Sequence, residues 1–243
     1  MRNVLLPLSG LMLIGCTTTG VPVASRWEVE TAKVRAFTPA AMPRAPLEDD
    51  GPNEPLPPSA LLGDRQTAVQ LARGLVGKHK PTLRGKALGA DCTGLVLGVY
   101  REMGLDLLKS AKPGDNGVTA IYRFARKHGR VYTDGWPVAG DLVFFKETYD
   151  QNRDGRQNDG LTHVGLVEDV TDDGTVTVIH RVSRGVVRYR MNLRHPDQRV
   201  DAKTGRVLND ALRAPGGDRA GATTGQLFAA YATLLPPSPV ARR

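Results

Sequence analysis

At 243 residues the chain has room for one domain of ordinary size plus extensions, and 40% hydrophobic residues suffice for a core. Seventeen Pro and 27 Gly place loops or linkers along it. A formal charge of +8 favours polyanionic partners such as acidic lipid or an acidic cell-wall polymer, and the want of a basic run interleaved with aromatics sets nucleic acid aside.

The N-terminus carries Arg2, then an apolar stretch through Leu11-Met12-Leu13-Ile14, then Gly15-Cys16. A positive start, a short apolar segment and a small residue before a cut are what an export signal requires, and the run is too short to span a bilayer. Leu13-Ile14-Gly15-Cys16 resembles the bacterial lipobox. That resemblance implies a signal peptide over residues 1–16, a lipid on Cys16 and a membrane anchor; Thr17 rather than Asp after the cysteine implies the outer membrane, facing the periplasm. The chain has two cysteines, so a lipidated Cys16 leaves Cys92 without a disulfide partner; a Cys16–Cys92 bridge would need the signal to stay uncleaved.

Residues 17–58 hold eight prolines and little apolar periodicity, and read as a semi-rigid tether. Roughly 40 residues at about 3.1 Å each reach on the order of 100 Å. A short helix over residues 27–34 stays open. The folded domain is expected over residues 59–243, with its core at about 64–195. Asp64 reads as an N-cap, with Ala68, Leu71, Ala72, Leu75 and Val76 at helical spacing up to Gly77. Residues 78–90 form a polar, Gly-rich loop. Cys92 opens a second helix, carried by Leu95, Val96, Val99, Tyr100 and Met103 and ending near Gly104. A third is predicted over residues 118–127, with His128 in its last turn suiting the helix dipole and Gly129 as its stop. Strands follow at residues 141–145, 162–168, 175–180 and 185–190. Helices followed by consecutive strands read as α+β with an antiparallel sheet. The tail beyond Pro196 is polar, and residues 226–235 are expected to form a last helix.

Cys92 at a helix start faces unpaired backbone N–H groups and the positive end of the dipole, which lowers a thiol pKa and can hold an oxyanion. A packing cysteine is the plain alternative. A cysteine nucleophile needs a base and the base an orienting partner. His163 and His180 are the candidates, one on each of two adjacent strands about 4.8 Å apart.

Asp91-Cys92-Thr93-Gly94, Gly140-Asp141-Leu142-Val143-Phe144-Phe145, His163-Val164-Gly165-Leu166-Val167 and Ile179-His180 together resemble the NlpC-type bacterial cell-wall peptidases over roughly residues 64–195. The resemblance implies a papain-like α+β fold and hydrolysis of amide bonds in peptidoglycan stem peptides, often D-γ-glutamyl-diaminopimelate. It puts Cys92 as nucleophile, His163 as general base, His180 as the residue orienting it, and Asp91 in substrate binding. No cofactor is required, and a monomer is expected.

Two features depart from the family pattern. The family's aromatic, Gly-Gly-containing stretch before Asp-Cys is replaced by residues 79–90, which hold no Tyr. An insertion over residues 150–160 puts Asp150, Asn152 and Asp154 at positions 1, 3 and 5 and Gly155 at position 6, the opening of an EF-hand-like calcium loop, while position 12 is Leu161 rather than Glu. An Asx-rich loop bonding its own backbone is the alternative. Among enzymes, Asp-Cys-Thr-Gly favours the NlpC type over the related CHAP-type amidases, and a transferase using the same acyl-enzyme is not separable by sequence. A wall-binding or envelope-spacing lipoprotein on the same fold is the competing reading from another class.

Overall fold

In the computed structural model residues 53–57, 61–216 and 220–236 are described. Cys16, the signal, most of the tether and the stretch 27–34 lie outside them. The elements run α1 (Arg65–Arg73), β1 (Thr82–Leu83), β2 (Lys86–Ala87), α2 (Cys92–Glu102), α3 (Gly117–His128), β3 (Arg130–Tyr132), β4 (Leu142–Lys146), β5 (Leu161–Val170), β6 (Thr175–Val182), β7 (Gly185–Asn192), β8 (Ala211–Arg213), β9 (Ala222–Thr223), α4 (Thr224–Leu227) and β10 (Phe228–Thr233).

Each long helix starts on a side-chain cap. Asp64, Asp91 and Asn116 accept the backbone N–H of Thr67, Gly94 and Thr119. The first helix ends at Gly74 rather than running on to Gly77, and the third spans its predicted range with one more residue at each end. His128 is structural: its Nδ1 lies 2.9 Å from the Glu54 carbonyl, which holds the end of the Pro-rich stretch against α3.

Six strands form one antiparallel sheet in the order β3-β10-β4-β5-β6-β7. Its two faces are covered differently. On one face α1, α2 and α3 pack Val69, Leu95, Val96, Val99, Ile121 and Phe124 onto Phe144, Val164, Leu166 and Ile179. Each such fully buried side chain contributes on the order of 1.5–3 kcal/mol. On the other face Val143, Phe145, Val167, Val178 and Met191 meet Ala222, Leu227 and Tyr231 from the C-terminal segment. The polar tail thus closes the second face.

The expected helix at 226–235 is a correction. Only Thr224–Leu227 is helical, and Phe228–Thr233 is a strand between β3 and β4. The run Phe228-Ala229-Ala230-Tyr231-Ala232 is helix-prone by its alanines, but its small side chains fit an interior strand buried on both faces, and packing overrides propensity. Asp141 fastens this strand: its Oδ1 accepts Thr233 Oγ1 at 2.8 Å, and its Oδ2 accepts the Tyr132 hydroxyl and, at 3.1 Å, the Val138 N–H. Gly140 beside it has φ +91°, and its carbonyl accepts the Tyr100 hydroxyl of α2 at 2.9 Å. The Gly140-Asp141 motif therefore joins helix to sheet.

Candidate active site

The pairing of β5 with β6 runs from Val170↔Val176 to Leu166↔Ile179 and stops there. Beyond it residues 161–165 of β5 pair only with β4, and residues 180–182 of β6 only with β7. The two strands part, and the candidate residues converge on this fork. Gly165 suits it: a Cβ there would lie 2.5 Å from Val178 Cγ1 and 3.1 Å from His180 Cβ.

From the helix side comes the half-buried thiol of Cys92. Its Sγ lies 4.0 Å from the Thr162 carbonyl oxygen, and the Val164 N–H bonds the same sulfur. The thiol thus rests on the backbone flanking His163. Two glycines let the preceding loop lie against the start of α2: a Cβ on Gly94 would lie 2.3 Å from the Gly89 carbonyl oxygen and 2.5 Å from Gly89 Cα. The loop before Cys92 is clamped to β6 by Arg181. This buried guanidinium donates to the carbonyls of Gly89, Leu88 (3.3 Å) and His79 (3.2 Å).

From the sheet side come the two imidazoles. His163 pairs across from Phe145, and His180 shares a face of β6 with Val178. His163 Nε2 and His180 Nδ1 lie 2.7 Å apart with ring planes at 84°. Among the described residues no hydrogen bond reaches the other ring nitrogen, His163 Nδ1. Among the described residues no hydrogen bond joins Sγ to either imidazole; such contacts often tighten only when substrate binds.

Burial sets the charges. It pushes the Cys92 thiol up from 9.0 to about 11; the Asp91 carboxylate adds to the rise, while the N–H groups of Val164, Cys92 and Thr93 pull it back. The expectation of a thiol lowered by the helix terminus is therefore corrected: desolvation outweighs the N–H groups. Burial likewise lowers His163 to about 4, against the opposing pull of Asp91. His180 is held well below 6.5 by burial, then by His163 and by the charge of Arg184. The resting site is a neutral thiol beside neutral imidazoles.

Asp91 serves as the α2 cap, its Oδ1 accepting Gly94 N–H at 3.0 Å and Thr93 Oγ1 at 2.7 Å. Asp150, Asn152 and Asp154 stand on the exposed loop between β4 and β5, facing their own backbone: Gly155 N–H donates to Asp150 Oδ2, Asp154 N–H to Asn152 Oδ1 and Arg156 N–H to Asp154 Oδ1. Among the described residues no three His, Cys, Asp or Glu side chains are grouped to hold a metal ion.

Sequence reasoning missed Tyr149. It stands half-exposed at the root of that loop, and its hydroxyl is held up by burial and then by the charges of Cys92 and Asp91. Thr148 before it donates its N–H to Thr162 Oγ1 at 2.8 Å, which anchors the loop beside the fork. Only the three-dimensional pairing of β4 with β5 brings it there.

A thiol at a helix start beside a histidine pair in an α+β fold is the arrangement of cysteine-dependent hydrolases. The family model for the CHAP domain matches residues 83–181, a stretch that holds Cys92, His163 and His180. Residues 83–181 are thus similar to the CHAP domain, a cysteine-dependent amidase or peptidase type of peptidoglycan hydrolase domain related to the NlpC type. The match falls on the type that the Asp-Cys-Thr-Gly motif ranked second. A solved structure described as the crystal structure of Ly7917 aligns at 16% identity and a TM-score of 0.39, covering 72% of this chain and 63% of that one, under two thirds of its length. No curated protein matches.

Proposed function

We propose that the protein hydrolyses amide bonds in peptidoglycan stem peptides, D-γ-glutamyl-diaminopimelate among them, with Cys92 as nucleophile, His163 as base and His180 as its orienting partner. The observation that carries this reading is the 2.7 Å bond between His163 and His180 in the fork where Cys92 rests, within the CHAP match. Because the resting pair is neutral, the thiol proton passes to His163 Nδ1 as Sγ attacks the carbonyl, rather than beforehand. The Cys92 N–H is a donor for the oxyanion. The imidazolium then protonates the leaving amine, and water, deprotonated by the same ring, releases the acyl group.

The layout that CHAP and NlpC types share supports a papain-like core. The lipobox supports an anchor at Cys16 in the outer membrane, from which residues 17–58 let a monomeric domain reach the wall. Asp91, close enough to bias both Cys92 and His163, is the acid we assign to the substrate amine. Calcium in the 150–160 loop is proposed from the sequence pattern alone, and no step runs through it. Thermal melting in millimolar calcium against chelator tests it: a rise lost in Asp154→Ala supports the site, and no shift removes it.

Digestion of purified peptidoglycan by the form lacking residues 1–16, beside Cys92→Ala, tests the main reading, with products identified by mass spectrometry. New stem-peptide fragments from the wild type alone are expected and name the bond. The raised thiol is the one observation that favours the wall-binding alternative, since a binding module needs no activated sulfur. Binding to peptidoglycan sacculi without any product, on walls of several chemotypes, would replace the hydrolase with that reading.

A further inference from the structure

The proton count of the histidine pair leaves one atom to explain. For His163 to accept a proton at Nδ1, its hydrogen must sit on Nε2 and be donated to His180 Nδ1, 2.7 Å away. His180 Nδ1 is then the acceptor, and the hydrogen of His180 lies on Nε2. That nitrogen is buried and has no hydrogen-bond partner among the described residues, in a side chain only 1% exposed. The opposite tautomer pair would put a hydrogen on His163 Nδ1 and leave the thiol without a base. Something must favour the hydrogen over a lone pair at His180 Nε2.

The neighbour of that ring is Tyr189 on β7. In the β6–β7 register Tyr189 faces Val178 and Val187 faces His180, so Tyr189 and His180 are diagonal neighbours on one face of the sheet. Their ring centroids lie 4.3 Å apart at 67°, an edge-to-face contact. An aromatic face carries negative charge and an imidazole N–H is positive. Where the Nε2 edge of His180 meets that face, the face attracts an N–H and repels a lone pair, and so discriminates between the two tautomers. The tyrosine is itself held: Arg184 Nη2 donates to its hydroxyl at 3.1 Å, with the guanidinium 5.6 Å from the ring centroid.

We infer that Tyr189 is a positioning residue whose ring face keeps the hydrogen of His180 on Nε2 and so keeps His163 Nδ1 bare for the thiol. The inference rests on the Cys92–His163–His180 reading and extends it to a group that touches neither the thiol nor the base. An N–H···π contact is weak, so its loss should cost ~2–5-fold in rate, below the 10²–10⁴ attached to a general base itself.

The test is a histidine ¹⁵N–¹H correlation spectrum, with kcat and KM on peptidoglycan fragments, for wild type, Tyr189→Phe and Tyr189→Leu. Tyr189→Val, a residue suited to a strand, replaces Leu if that variant fails to fold. The wild type and Tyr189→Phe, which keeps the ring face, should show His180 protonated at Nε2 alone and share one kcat. Tyr189→Leu should show mixed His180 tautomers and a kcat lower by ~2–5-fold at unchanged KM. A wild-type His180 protonated at Nδ1 overturns the inference. So does a Leu variant with the wild-type spectrum, or a Phe variant as impaired as Leu. The spectra need no substrate: if they respond as expected while no wall is digested, the tautomer control stands and the substrate assignment fails.

Discussion

The two halves of the candidate site are both largely withdrawn from water, and desolvation drives them in opposite directions. The thiol on α2 is pushed up to about 11, and the imidazole of His163 on β5 is pushed down to about 4. In each case the neutral form wins, because a low-dielectric site penalises whichever form is charged. The halves differ in how they are held. The imidazoles lock one another with a 2.7 Å bond, whereas the thiol only rests on strand backbone at 4.0 Å. In the proposed mechanism the pair is the prepared base, and the sulfur is the part left to move onto substrate.

Removing the base should break this comparison most severely. His163→Ala is expected to lower kcat by ~10²–10⁴ with little change in substrate binding, read by initial rates on peptidoglycan fragments. His180→Ala should cost less, because the ring of His163 remains, and His180→Asn should restore part of the loss.

Burial of the imidazole also ties stability to pH. An unfolded histidine takes a proton near pH 6.5 and folded His163 only near 4, so the stabilisation is complete above 6.5 and lost as pH falls toward 4. The loss should approach ~3 kcal/mol for this residue, measured by urea unfolding at pH 7 and near pH 4, and His163→Gln should flatten the slope. The thiol should act with the other sign: its stabilisation is complete below pH 9.0 and lost as pH rises toward 11.

Asp91 sharpens the comparison because its charge reaches both halves. Asp91→Ala removes the α2 cap and should cost ~1 kcal/mol. Asp91→Asn keeps an acceptor for Gly94 N–H but removes the charge that raises both groups, so the pKa values of Cys92 and His163 should both fall in an NMR titration.

The smallest effect is expected on the 150–160 loop. Asp154 is exposed and bonds the loop's own backbone, so in chelator Asp154→Ala should change stability by no more than ~0.5 kcal/mol.

The same contrast between local and non-local order decided what the sequence could show. The three long helices were legible through apolar spacing, the first also through its Asp64 cap, and β4 to β7 through short apolar runs bounded by Gly and Asp turns. Phe228–Thr233 did not, since its alanines read as helix and only the neighbours β3 and β4 make it a strand. Cys92, His163 and His180 stood out through their motifs, but the fork between β5 and β6 depends on where pairing stops, and residue spacing carries no sign of that. The direction of the thiol shift was misread for the same reason: a helix start is visible in sequence, while the burial that overrides it comes from distant strands. Tyr149 and Tyr189 reach the site through strand pairing alone.

The claim that the resting pair is neutral is tested most directly by the ultraviolet thiolate absorbance of the wild type between pH 4 and 12, with Cys92→Ala subtracted. A single step near pH 11, with no thiolate at neutral pH, is the predicted result. A thiolate already present at pH 7 and abolished by His163→Ala would contradict it and establish a thiolate–imidazolium pair instead.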